Sequence, residues 1–506
     1  MDLLALRLEL ISRRTLTLFM ISVPAIAWAL ELGVALTPSH VLGFVVIALG
    51  ATTLIGLRHR PVFDLVSLSL IAFAVVATIT VARVHLQPDV VIYGESLQAK
   101  ASKQVLGLWF AVGLFLALRY LMETFGLGSR LLRVHFWTTV GVAVLALVQF
   151  GIALWDFSSV FAALPVHNST LGETRQLVTG VQAYGFPRVA LTLVEPSRLG
   201  TYLLTGWALW LYAAERKPGG FLGRRLATIS GIVLGAAVIL TGSRAAHLVF
   251  ACLAIGAVFA RPGRLQRFAL IIASLVLAVA VIGPSSTTGI TTSLIRRTSP
   301  ENARVLPPDH VPHVRSFSEN QRVAAFEDRL IALGRRSSPS TRHRIGSALV
   351  TLSVLRDRPW LGAGYGTSEF AMAMRYPPEM GQIVLGPVRP TMLGAYNTVV
   401  TETGIAGALC LVGLLIGTFA GLRATAKSAL PGASTLAWAS GAALSAYALA
   451  MSGLAIEVYQ FVLVWALLAA AAASVAEVRS VQPTITARIR GRRVHPPAAF
   501  VLTSDR

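Results

Sequence analysis

The sequence predicts an all-α, polytopic membrane protein of about twelve transmembrane helices, with a large, partly helical extracytoplasmic loop between late spans. Three observations carry this reading. Hydrophobic residues make up 55% of the 506 and charged residues only 13%, whereas soluble chains average about 25% charged. Apolar runs long enough to cross ~30 Å of hydrocarbon recur along the whole chain. Those runs lack the alternation of barrel strands, so helices are expected. The composition excludes a soluble enzyme, a disordered protein and a coiled coil.

The expected spans are 15–36, 40–57, 61–84, 104–122, 134–155, 197–214, 227–243, 245–260, 268–284, 396–421, 434–452 and 457–477. The first follows Arg7, Arg13 and Arg14 and reads as an uncleaved helix, since further spans follow it. Lys and Arg total 44 against 23 Asp and Glu, a formal net charge of +21. Part of that excess lies in short loops that alternate with the spans: Arg58 and Arg60, Arg130 and Arg133, Arg216 to Arg225, Arg261 to Arg267, Arg423 and Lys427. By the positive-inside bias these loops and both termini are cytoplasmic.

The expected organisation is therefore helices one to nine over 1–284, an outer loop over 285–395, helices ten to twelve over 396–477, and a basic cytoplasmic tail over 478–506. Smaller outer loops are expected at 85–103 and 156–196. Two cysteines, Cys252 and Cys410, lie in apolar segments and form neither a disulfide framework nor a metal spacing.

The outer loop holds a second group of arginines, among them Arg342, Arg344, Arg356, Arg358 and Arg375. Long loops translocate regardless of charge, so topology does not ask for them. Ion pairs with Glu327, Asp357 or Glu369 are one explanation. An anionic ligand is the other, because the planar guanidinium binds phosphate through bidentate hydrogen bonds.

Four segments stand out. Val194-Glu195-Pro196-Ser197-Arg198-Leu199-Gly200 opens a span. A helix start explains Pro196 and Ser197 but not Glu195 with Arg198 at a membrane mouth. Leu240-Thr241-Gly242-Ser243-Arg244-Ala245 sets an arginine between two short spans, where it must snorkel or find a partner. Arg342-His343-Arg344 opens a helix expected over 345–355, followed by Asp357-Arg358-Pro359-Trp360-Leu361-Gly362-Ala363-Gly364-Tyr365-Gly366. That glycine run follows no strand and reads as a tight turn rather than a phosphate loop. Last comes Thr401-Glu402-Thr403-Gly404-Ile405-Ala406-Gly407, with a carboxylate near the interface. Asp64, Glu31 and Glu457 are expected to make structural pairs. His167, His310, His313 and His343 each suit a surface position or a base near neutral pH. There is no Walker motif, zinc helix or serine-nucleophile elbow.

At these residues the chain resembles the O-antigen ligase and polymerase family of bacterial membrane glycosyltransferases. Glu195-Pro196-Ser197, Thr241-Gly242-Ser243-Arg244-Ala245, Arg344 ahead of residues 358–366, and Glu402-Thr403-Gly404-Ile405-Ala406-Gly407 occur in the family's order, over roughly 190–420. One position departs: Leu393 and Gly394 stand where ligases carry a histidine, which is therefore not carried over.

The resemblance implies a multi-pass enzyme of the bacterial inner membrane that uses no metal or cofactor. An acceptor hydroxyl attacks the anomeric carbon of a polyprenyl-diphosphate-linked glycan with inversion. Arg244, Arg344, Arg342 and Arg198 are the diphosphate candidates, because fixed guanidinium groups stabilise charge growing on the leaving group. Glu195, His343 and Glu402 are the candidate bases, unless positioning alone supplies the rate. The implied partners are the lipid-linked donor, a lipid or glycan acceptor, membrane lipids and other envelope-assembly proteins, with no nucleic acid. A secondary transporter and a non-catalytic partner in glycan assembly are the competing readings.

Overall fold

The computed structural model describes residues 3–25, 30–31, 35–57, 63–92, 95–154, 182–183, 186–187, 196–213, 224–260, 327–333, 339–377, 392, 394–427, 431–451 and 463–473. The described residues are helical almost throughout. The bundle comprises α1 (Leu3–Ser22), α2 (Pro38–Leu57), α3 (Leu65–His85), α4 (Leu97–Phe125), α5 (Gly128–Leu154), α6 (Pro196–Ala213), α7 (Arg224–Leu240) and α8 (Arg244–Ala260). A short α9 (327–333), then α10 (Pro339–Asp357) and α11 (Ser368–Arg375) form the loop region. Helices α12 (Ala395–Ala426), α13 (Pro431–Met451) and α14 (Leu463–Ala473) complete it. The only strands among the described residues are two-residue hairpin pairs, such as Leu30–Glu31 against Ala35–Leu36.

Local chemistry sets the ends. Asp64 caps α3 by accepting from the Ser67 amide (3.1 Å), and Ser96 caps α4 by accepting from Ala99 (3.2 Å). Proline opens α2, α6, α10 and α13, where its missing N–H costs nothing. Gly126, at φ +63°, closes α4 in the left-handed region.

Among the described residues five helices are long and apolar enough to cross a membrane: α2, α3, α4, Gly128–Ile152 within α5, and α12. They coincide with expected spans. Shorter apolar helices occupy parts of α7, α8, α13 and α14. About twelve crossings are thus not all present as full-length spans among the described residues, and the expected ninth, 268–284, lies outside them. The first expected span is corrected. The helix there starts at Leu3 and stops at Ser22, because Pro24 cannot continue it. The expected loop at 85–103 is also shorter, since α4 begins at Leu97.

Helix α6 packs along α13, α3 along α12, and α5 against α6 and α7. Small residues allow close approach: a Cβ on Gly50 of α2 would lie 2.8 Å from the Ala117 Cβ of α4. Asp64 pairs with Arg119 (2.6 Å), which also binds Glu123 (2.6 Å) and the Ser67 hydroxyl (2.7 Å). This is the structural pairing expected of Asp64. It stitches α3 to α4 at one end of the bundle. The opposite end carries α10 and α11 and is called the loop end below. There Leu349, Val350, Val354, Ala371, Met372, Tyr376 and Met392 form a small separate core.

Candidate functional site

Two of the four segments lock together at the loop end. Gly404 has φ +64° and ψ −156°, which breaks the helical path of α12. The break frees two amides from their own turn. Ile405 donates to the Pro359 carbonyl (2.8 Å) and Ala406 to the Trp360 carbonyl (3.1 Å). In return, the Thr401 carbonyl accepts from Ala363 (2.8 Å) and the Glu402 carbonyl from Gly364 (2.9 Å). Backbone meets backbone so closely that neither strand tolerates a side chain at the crossing. A Cβ on Gly362 would lie 2.4 Å from the Thr401 oxygen, and one on Gly404 2.5 Å from the Trp360 carbonyl carbon.

The glycine run then wedges between α3 and α4. The Tyr365 amide donates to the Thr80 hydroxyl (3.0 Å), and the Tyr365 ring stands edge-on to Phe73 with centroids 6.1 Å apart. The amides of Ala363, Gly364 and Tyr365 are all consumed in this docking, so the run cannot cradle a phosphate. It is the tight turn the sequence suggests, used as a clamp.

Glu402 is buried, at 5% exposure. Its Oε1 accepts from the Ser368 amide (3.1 Å) at the start of α11. A carboxylate is favoured there because helical N–H groups and the helix dipole point at it. The same turn is held from the other side by an ion pair between Lys100 of α4 and Glu369, both nearly buried. Below it, the Thr401 hydroxyl donates to Thr351 of α10 (2.9 Å).

Arg342, His343 and Arg344 lie on the first turns of α10, longer than the 345–355 expected from sequence. Arg342 is half-buried within electrostatic reach of Tyr376, whose phenol is pushed up by burial and partly held back by that guanidinium. The Tyr376 ring packs on Gly346 one turn below. His343 is half-buried and Arg344 exposed. The other loop arginines divide. Arg356 pairs with Glu327, and Arg375 with Asp357 (2.5 Å). These match the ion-pair explanation. Arg344 has no carboxylate partner among the described residues.

The other two segments also meet at the loop end. Gly200 of α6 faces the α7–α8 turn, where a Cβ would lie 2.7 Å from the Ala246 Cβ and 3.3 Å from the Thr241 hydroxyl. Gly242, at φ +58°, turns the chain, and Ser243 caps α8 by accepting from Ala246 (3.4 Å). Thr241, Gly242 and Ser243 therefore have structural work. Arg244 opens α8, and its side chain lies outside the described residues, as do Glu195, His167, His310, His313 and Glu457. Arg198 is half-buried and in electrostatic reach of Tyr447 on α13. Next to it, the Tyr396 hydroxyl of α12 donates to the Ala448 carbonyl (2.8 Å).

Several contributors were not singled out in the sequence: Lys100, Thr80, Thr351 and Ser368. Lys100 sits in what reads as a polar loop, and its partner is far along the chain, so no local pattern marks it. Among the described residues no three His, Cys, Asp or Glu side chains come together as a metal site.

Comparison with known proteins bears on the same segments. The O-antigen ligase family model matches residues 229–412, from α7 through the kink of α12. No curated protein matches the chain. The matched stretch holds the Thr241–Ala246 turn, the arginines of α10, the glycine clamp and Glu402, and over these residues the chain is similar to the O-antigen ligase family.

Proposed function

We propose that the protein is a glycosyltransferase of the bacterial inner membrane, working on the outer side with both termini in the cytoplasm. It transfers or polymerises a glycan carried on a polyprenyl diphosphate. The acceptor hydroxyl oxygen bonds to the anomeric carbon as the bond from that carbon to the diphosphate oxygen breaks. The hydroxyl proton leaves to a base or to water, and the polyprenyl diphosphate departs with the electron pair.

The observation that carries this reading is the convergence of the four segments. They are spread over some two hundred residues of sequence, yet they pack in two pairs at one end of the bundle. Arg344, exposed and without a carboxylate partner among the described residues, has a free guanidinium to offer a diphosphate. Arg244, Arg342 and Arg198 are assigned the same ligand. Glu402 is assigned a positioning role, because its carboxylate already holds α11. His343 and Glu195 remain the base candidates, and fixed cationic groups supply most of the stabilisation.

Replacement of Arg344 or Arg244 by Ala tests the proposal. The expected result is loss of glycan product, accumulation of lipid-linked donor and normal membrane insertion. An unchanged glycan profile in both variants overturns it. In a deletion strain, a ladder collapsing to single repeat units marks a polymerase. Intact polymer that is no longer attached to its acceptor marks a ligase.

A further inference from the structure

A second basic cluster lies at the other end of α10, among residues with no part in the proposed transfer. Arg83, in the last turn of α3, and Arg358, just past α10, are both half-buried and in electrostatic reach of one another. Arg375 is in reach as well. Among the described residues, the carboxylate in reach of Arg358 is that of Asp357, and it is bound by Arg375 (2.5 Å). Among the described residues neither Arg83 nor Arg358 makes an ion pair. Burial first, then Arg83 and Arg375, push the Arg358 guanidinium below its ordinary value. The carbonyl end of α10 offers a partial negative charge, too little for the two cations that Asp357 leaves uncompensated.

The chain cannot relieve this crowding by swinging away. The Pro359 and Trp360 carbonyls are bonded to α12, and Tyr365 is bonded to Thr80 on α3, one turn before Arg83. The backbones that carry Arg83 and Arg358 are thus fixed, with the two guanidinium groups in electrostatic reach of each other. Such an arrangement fits an anion placed between them.

The surroundings say which anion. Trp360 is 65% exposed and Leu86, just past Arg83, 87% exposed. Below the cluster, Ile79, Val75 and Leu68 of α3 are exposed. On α12, Ile405, Leu409, Val412 and Ile416 are exposed at spacings that place them along one helix face. Apolar stripes therefore run down both helices from a point where tryptophan and arginine meet, the pattern of a membrane interface.

We propose that Arg83 and Arg358 bind the phosphate of an anionic phospholipid of the surrounding bilayer, with Trp360 at headgroup level and the acyl chains along the apolar faces below. The headgroup is of the phosphoglycerol type, because the ammonium of a zwitterionic lipid adds a cation to a site already in surplus. The site is distinct from the one assigned to the donor. Arg344 lies about fourteen residues back, or roughly 20 Å along the helix. The inference rests on the membrane setting and not on the transfer reaction.

Native mass spectrometry of the full chain, and thermal unfolding in nanodiscs of phosphatidylglycerol or phosphatidylcholine, test it. The unmodified protein should retain phosphatidylglycerol and melt higher in it. Arg83→Gln with Arg358→Gln should lower retention at least roughly tenfold, while Arg344→Gln leaves it in place. Equal melting of the unmodified protein in both lipids overturns the proposal, and needs no variant to fold. It is also overturned if Arg344→Gln lowers retention equally, or if the lipid retained through Arg83 and Arg358 is a polyprenyl diphosphate. Glycan output is measured separately, so failure here and failure of the transferase reading are distinguishable.

Discussion

Gly362 and Gly404 lie on the two strands of a backbone crossing, where a side chain on Gly362 would strike the Thr401 oxygen and the Gly404 nitrogen, and one on Gly404 the Pro359 and Trp360 backbone. Both have positive φ, at +61° and +64°. An alanine at either position meets left-handed strain of about 1–2 kcal/mol, plus displacement of the opposing strand. Gly404→Ala should lower the melting temperature by several degrees and reduce glycan output, as a melt with a product assay will show. Unaltered stability would mean the crossing is not formed.

Glu402 separates two roles by substitution. As the acceptor for the Ser368 amide, it should tolerate Gln, which keeps a carbonyl oxygen in place. Loss of that acceptor in Glu402→Ala should cost about 1–2 kcal/mol, typical of a lost cap. Product formation by Glu402→Gln should stay within roughly tenfold of the unmodified enzyme, whereas removal of a general base costs about a hundredfold or more. Turnover abolished in a well-folded Glu402→Gln protein makes the carboxylate a proton acceptor after all.

The arginines of the loop region should split by partner. Arg344→Ala should lose about a hundred- to a thousandfold in turnover, as for other groups that stabilise a developing anion, with little change in melting. Arg356→Ala breaks a partly exposed pair with Glu327. It should cost no more than about 1 kcal/mol and leave product formation near normal. Rates and melts measured on the two proteins side by side decide this.

Lys100 and Glu369 pair with 7% and 13% of their side chains exposed. Removing one partner strands the other's charge. Lys100→Met alone should destabilise the protein by about 3–5 kcal/mol, and adding Glu369→Leu should recover much of that. A double-mutant cycle by thermal or denaturant unfolding reads the coupling directly, and purely additive effects would show that the pair is not coupled.

Hydropathy located α2, α3, α4, α5 and α12 well, because a membrane span is a property of consecutive residues. Hydropathy overextends the first span because apolar residues continue past Pro24, and the proline outweighs them. The glycine run was legible as a turn. Its docking was not, since the Ala363–Thr401 and Ile405–Pro359 bonds join segments some forty residues apart and leave no periodic trace. The four motif segments were legible from their order. That Gly200 would face Thr241, or that Glu402 would hold an amide of α11, needed coordinates. The outward arginines were legible as a surplus, but only geometry separated Arg356 and Arg375, which are paired, from Arg344.

The docked turn also makes α10 a cantilever. Its C-terminal end is fixed by the crossing with α12 and by Thr351 against Thr401, while Arg342 and Arg344 ride near its other end. With an arm of roughly 10 Å from Thr351, a tilt of about five degrees at the anchor moves Arg344 by about 1 Å, enough to misplace a reacting contact. Changes at Gly404 or Thr351 should therefore reach the proposed diphosphate contact without touching it. The precision of the reacting end is set at the clamped end.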